Sequence, residues 1–502
     1  MRHHQRPRLP SALPTLFALV LASGCTDRVT IFKETPFFAE PPAAANGYLG
    51  YDEEDTKLTV CGNCHVGQQA SWEKTHHADA FATLEATGHA NDTCRACHSV
   101  DERGNAATDS GGWETTKDVR YQDVQCESCH GPGAAHIENP DASQPLASLA
   151  VGTDLTNGCG ECHQGTHHGF VDEWAQSPHA QVVAYPASQP DCQRCHRGQN
   201  VLLAWGENAD YVERFSPEPL PIVCGVCHDP HGTAPYGHQL RFPVNTNSIE
   251  DHLCAQCHNR RTAPDASSAH GLEPHSPESA LLMGDAGWFP PGASIDQGQI
   301  RGTHGSERNA ELCATCHLPS FEVTDPATGD HTFSVTGHLF RPIPCLDENG
   351  VPTGFPTDCA LTADARSFKG CTASGCHGDE QAAASALNTA VVRIQPLADQ
   401  LRDLLTQVDP NLEEAGGEID PENPTFTVAE GAFFNLSLAE FGQQTFGTNT
   451  VVGSSVHNPF LVEALLLASI DQVQTTYGVM ASPDIRARLR SRLKEIRTQA
   501  IR

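Results

Sequence analysis

The chain has 502 residues, 21 cysteines, 27 histidines and a formal net charge of −31. That acidity excludes a nucleic-acid partner, whose phosphates need a basic face, and a disulfide scaffold does not explain so many histidines beside the cysteines. Hydrophobic residues make up 38% and aromatics only 6%, a thin apolar core for this length, so something other than side chains has to fill the interior.

Residues 1–24 read as an export signal. Arg2, Arg6 and Arg8 form a basic start, and Leu9 to Ala22 is apolar but too short to span a bilayer. The small residues before Cys25 resemble a lipobox, with Ala22 where leucine is usual. The expectation is a lipid on Cys25 and a membrane partner through it, with plain cleaved export as the alternative. Residues 25–56, with Pro36, Pro41 and Pro42, read as a tether.

From Cys61 onward a C-x-x-C-H pentad recurs eight times. The cysteine pairs and their histidines are Cys61, Cys64 and His65; Cys94, Cys97 and His98; Cys126, Cys129 and His130; Cys159, Cys162 and His163; Cys192, Cys195 and His196; Cys224, Cys227 and His228; Cys254, Cys257 and His258; Cys313, Cys316 and His317. Successive first cysteines lie 33, 32, 33, 33, 32, 30 and 59 residues apart. Two thiols at this spacing form thioethers to the two vinyl groups of a haem, and the adjacent histidine ligates its iron. Zinc ribbons do not place a histidine after every second cysteine, and thioredoxin-like pairs come singly. A ninth attachment is expected at Cys371, Cys376 and His377, a C-x4-C-H variant that follows the eighth at an interval of 58. The expectation is about nine haem c groups, numbered here as sites 1 to 9 in chain order. Cys345 and Cys359, with no histidine after either, are expected to form a disulfide, a free thiol pair being the alternative.

Between pentads the chain is rich in Gly, Pro, Asp and Ser, which predicts loops and short helices ordered by haem. Beyond Cys376 the pattern turns helical. Residues 381–408 have apolar positions at helical spacing, with Pro396 expected to kink or split the helix. Residues 410–427 are a polar connector, and Phe460 to Tyr477 is a second helix started by Asn458-Pro459. A third opens at Ser482-Pro483 and carries Arg486, Arg488, Arg490, Arg492, Lys494 and Arg497, either a solvated face or a contact for an acidic partner. The fold expected is mainly α with extensive irregular loops, a haem-packed region over 57–380 and a C-terminal helical region over 381–502.

Several remaining histidines sit in recurrent settings. Trp72 to Ala78 and Trp174 to Ala180 share a W-x-x-[ST]-x-H-A pattern, Cys126 to His136 reads CESCHGPGAAH, and Cys224 to His231 reads CGVCHDPH. These segments resemble the cytochrome family that accepts electrons from hydroxylamine oxidoreductase. The surroundings of His275, His304, His338 and His457 are similar to segments of large outer-membrane multihaem cytochromes. The resemblance covers roughly residues 57–480 and implies that His77, His136, His179, His231, His275, His304, His338 and His457 are distal iron ligands. The ninth would come from His168, His167, His89, His238 or His252. It also implies an envelope electron carrier of anaerobic or extracellular respiration, facing the periplasm or cell surface, whose partners are redox proteins, terminal acceptors or further copies of the chain. The alternative is an oxidoreductase acting on nitrite, hydroxylamine or tetrathionate. Every pentad ends in histidine, so the lysine-ligated haem of nitrite reductases is absent.

Overall fold

The computed structural model describes residues 45–145, 158–207, 211–267, 271–373, 375–417, 425–442, 444–446, 449–451 and 453–483. The export segment, Cys25, most of the tether and the arginine-rich helix from 484 onward lie outside them. The described residues belong to one compact unit. It is mainly helical, with two-stranded antiparallel hairpins and long irregular connections. No helix among the described residues is long and apolar enough to cross a membrane.

Between Cys61 and His317 no described helix exceeds seven residues. Each pentad is itself about one helical turn, for example Cys126–His130 and Cys313–His317. The histidine N–H donates to the first cysteine's carbonyl in the pentads of His65, His163, His228 and His258, at 2.8–2.9 Å. A turn of this kind puts residues three apart on one face, so both thiols point to the same side and the histidine follows them. Short helices like these are marginal alone, and the apolar clusters around them are small. The largest in this region contains six buried residues, including Val171, Trp174, Val201 and Leu202.

The W-x-x-[ST]-x-H-A segments are one structure used twice. Trp72 Nε1 donates to the carbonyl of Val124, and Trp174 Nε1 to that of Ile222, both at 2.9 Å. The carbonyls of His77 and His179 accept from the N–H groups of Val124 and Ile222. Val124 and Ile222 each stand two residues before a pentad, so the buried indole fixes a downstream haem-attachment turn against an upstream histidine.

The largest core is C-terminal. The helices Glu380–Val408, Val428–Glu440 and Pro459–Tyr477 pack around Leu401, Leu404, Leu436 and Leu461, all essentially inaccessible. Burying each such leucine contributes roughly 1.5–3 kcal/mol. The 29-residue first helix runs through Pro396 as a single element rather than splitting. Proline removes one intrahelical bond, but Ile394, Ala398 and Leu401 around it are buried in the bundle, and that packing holds the helix together. The middle helix, not expected from the sequence pattern, lies beyond the polar connector and starts at the capping box Thr427-x-x-Glu430. Thr427 Oγ1 caps the Glu430 N–H, and the Glu430 carboxylate returns to the Thr427 N–H. Asn458 caps the last helix, accepting from Leu461 N–H at 3.1 Å.

This bundle docks on the segment before site 8. Asn435, fully buried, accepts the Trp288 N–H and donates to the Trp288 carbonyl, both at 2.7 Å. Asn458 donates to the carbonyls of Leu281 and Ile300 at 3.1 and 2.8 Å. Such satisfied buried amides fix a unique docking geometry. The Cys345–Cys359 disulfide is present and closes a loop in the segment between the eighth and ninth motifs.

Candidate haem-binding site

The nine histidines that follow cysteine pairs each face a second histidine. Ring centroids lie 6.3 Å apart for His65 and His136, 6.4 Å for His98 and His168, and 6.1 Å for His130 and His231. The separations are 6.1 Å for His163 and His77, 5.9 Å for His196 and His275, and 6.3 Å for His228 and His338. They are 6.2 Å for His258 and His179, 6.3 Å for His317 and His457, and 6.3 Å for His377 and His304. Two metal–imidazole bonds of roughly 2 Å each, added to the ring radii, give nearly this span. Rings in direct contact stand closer, as His167 does to His331 at 4.6 Å.

All eight histidines singled out on local context are in such pairs, and His168 stands opposite His98. The other candidates for the ninth place have other roles. His89 is exposed and contacts the Thr87 carbonyl. His238 has φ 57° and offers its carbonyl to His228. His252 is buried as a helix cap, accepting from the Cys254 N–H at 3.2 Å while its Nε2 bonds the Glu311 carbonyl. His163 also lies 6.3 Å from His168, but edge-on at 77°, so that contact marks the junction of sites 4 and 2.

In five of the paired histidines the ring nitrogen not needed for a metal is occupied by a backbone carbonyl. Nδ1 bonds a backbone carbonyl in His98 (Ala80, 2.9 Å), His136 (Ser143, 2.7 Å), His228 (His238, 2.8 Å), His304 (Val456, 2.8 Å) and His317 (Phe340, 2.8 Å). These bonds orient each imidazole and leave Nε2 as the free lone pair. Burial pulls His163, His179, His338 and His457 down to about 4, so they are neutral bases at neutral pH, as metal ligation requires. All eighteen cysteines of the nine motifs are free thiols, as thioether formation requires.

Two buried carboxylates hold the loops that carry distal histidines. Glu127 accepts from the N–H groups of Leu49, Gly50 and Gly133 at 2.7–3.0 Å, which fixes the turn leading to His136. Full burial pushes its carboxyl up to about 7, against the opposing pull of those donors. Glu173 accepts from the Thr336 and His338 N–H groups at 2.8 and 2.6 Å and from the Thr336 hydroxyl. It thereby places His338 from 165 residues away. Neither role carries a local sequence signal, because both depend on contacts made across the fold.

Thiols of different motifs lie close enough to act on one another, which gives the adjacency of the sites. Cys61 interacts with Cys126, Cys97 with Cys162, and Cys159 with Cys224. Cys195 pairs with Cys257 and Cys254 with Cys313. Cys129 lies within electrostatic reach of Cys159, Cys227 of Cys254, and Cys316 of Cys371 and Cys376. Sites 1, 3, 4, 6, 7, 8 and 9 therefore follow one another as neighbours, with site 2 against site 4 and site 5 against site 7. Two phenylalanines pack edge-on at the junctions. Phe170 lies 5.4 Å from His163 and 5.1 Å from His338, and Phe340 lies 4.5 Å from His179 and 5.6 Å from His338.

Residues 60–131 match the family model described as cytochrome c554 and c-prime. Multiheme cytochrome MtrA of Shewanella baltica is 26% identical over 197 residues, 34% of this chain and 54% of MtrA. C-type polyheme cytochrome OmcB of Geobacter sulfurreducens is 26% identical over 200 residues, 33% of this chain and 25% of OmcB. The matches thus span about half and a quarter of these relatives. The crystal structure of the outer cell wall cytochrome OcwA superposes with a TM-score of 0.45 at 19% identity, covering 78% of each chain. Repeated attachment pentads, histidines paired across a metal-sized gap and the likeness to MtrA and OmcB make this chain a multihaem c-type cytochrome.

Proposed function

We propose that the chain binds nine haem c groups, each between two histidines, and relays electrons along sites 1, 3, 4, 6, 7, 8 and 9, with sites 2 and 5 as side branches. Bound haem supplies a one-electron iron couple at each site. The chain's own residues do the rest: eighteen thiols anchor, eighteen imidazoles ligate and orient, and Phe170 and Phe340 exclude water between neighbouring sites. The observation that carries this reading is the nine histidine pairs at 5.9–6.4 Å. A distal histidine opposite every attachment histidine favours a conductor over a reductase of nitrite, hydroxylamine or tetrathionate, which needs an exchangeable iron position. The ends of the row, near sites 1 and 9, are where redox partners would meet it. The export segment and Cys25 support an envelope location with a lipid anchor, in anaerobic or extracellular respiration.

The count tests the reading. Intact mass and haemochrome absorbance of the exported protein are expected to give nine haems, and Cys371→Ala/Cys376→Ala is expected to give eight. Eight in the parent chain, unchanged by the double substitution, would remove site 9.

A further inference from the structure

His258 differs from the attachment histidines His98, His228 and His317 in what its Nδ1 meets. Those three bond a backbone carbonyl at 2.8–2.9 Å, whereas His258 Nδ1 lies 3.5 Å from a carboxylate oxygen, Oε2 of Glu278. That oxygen is buried and has no hydrogen-bond partner of its own. No Lys or Arg forms an ion pair with Glu278 among the described residues. The contact is anchored on both sides, because the Ser279 N–H donates to the His258 carbonyl at 3.1 Å. Glu278 opens the helix Glu278–Met283, whose Leu281 carbonyl is held by Asn458. The carboxylate is thus fixed by the same docking that brings the C-terminal bundle to the row.

A carboxylate charge beside Nδ1 makes an imidazole a stronger base at Nε2 than a peptide carbonyl there does. A stronger axial donor, with an uncompensated negative charge beside it, favours the ferric over the ferrous state. We propose that Glu278 is a positioning residue that acts through His258 to hold site 7 at a lower potential than its neighbours 6 and 8. This rests on the proposed occupancy of site 7. Site 7 is also where site 5 joins the row, through Cys195 and Cys257. A low step there slows passage along the row in both directions, and lets site 5, reached through site 7, hold charge without draining the row.

The test is a potentiometric titration of the full holoprotein, followed by EPR, for the parent chain and for Glu278→Gln and Glu278→Asp. In Glu278→Gln, one couple is expected to rise by a tenfold change in its ferric/ferrous equilibrium, about 59 mV for one electron. The couples of sites 5 and 8, whose His275, His317 and His457 also feel Glu278, move less, the others stay put, nine haems remain, and the spectrum stays low-spin. Glu278→Asp, which withdraws the carboxylate but keeps its charge, is expected to give a smaller shift. Unchanged potentials in a fully loaded Glu278→Gln protein would overturn the proposal. Loss of the site 7 haem from that variant would also overturn it, making Glu278 a structural support instead. A parent chain lacking haem at site 7 would instead defeat the occupancy on which the proposal rests.

Discussion

Removing the haem of site 6 by Cys224→Ala/Cys227→Ala is expected to cut conduction between the two ends of the molecule by orders of magnitude. Removing that of site 2 by Cys94→Ala/Cys97→Ala is expected to leave it near the parent rate. The difference follows from the thiol contacts. Cys224 interacts with Cys159 of site 4 and Cys227 with Cys254 of site 7, so on the proposed path site 6 bridges two halves of the row. Site 2 meets site 4 through Cys97 and Cys162 and through the edge contact of His163 with His168, off the proposed row. Single-molecule conductance between the chain ends measures this, with the haem count of each variant confirming that only one group was lost. Equal losses in the two variants would show that the electron path does not follow the attachment contacts.

His457→Leu is expected to leave the iron of site 8 with one axial histidine, so that one ninth of the haem becomes high-spin. The same change is expected to loosen the C-terminal bundle. His457 is half-buried, faces His317 at 6.3 Å with the rings only 6° from parallel, and ends the short helix Ser454–His457 directly before the Asn458 cap. Through that position the iron bond and the docking of Pro459–Tyr477 depend on each other. Leucine keeps the volume and removes the ligand, so the stability cost is expected to be on the order of 2–3 kcal/mol, the upper part of the range for single substitutions. Hydrogen exchange should show earlier opening of residues 459–477, with the Cys61–His130 region unaffected. Low-spin spectra without bundle loosening would mean that another side chain replaces the ligand.

Attachment turns were readable in the sequence because their chemistry is local: two thiols and an imidazole within five residues make the site without help from the fold. The histidines that face them could be singled out by setting, such as His77 and His179 behind their tryptophans, but not paired. Their partners are 70 residues away for His98 and His168 and 140 for His317 and His457. Pairing is decided by how the loops close around the cofactor, for which the chain has no periodic signal. The same reason hid Glu127, Glu173 and Glu278, each a single acid among 62 acidic residues whose role appears only when its backbone or imidazole partners are brought to it. The helix Val428–Glu440 was different. Its capping box was written at Thr427 and Glu430, but it is buried nearly all round and so lacks the amphipathic stripe that reveals a surface helix.

On the proposed reading every one of the nine irons lies between two histidines. An EPR spectrum of the oxidised, fully loaded protein, recorded with and without nitrite or hydroxylamine, tests it most directly. Only low-spin ferric signals, unchanged by either ligand, are predicted. A high-spin signal that moves when nitrite or hydroxylamine is added would contradict the claim, showing an open iron and a site for substrate chemistry.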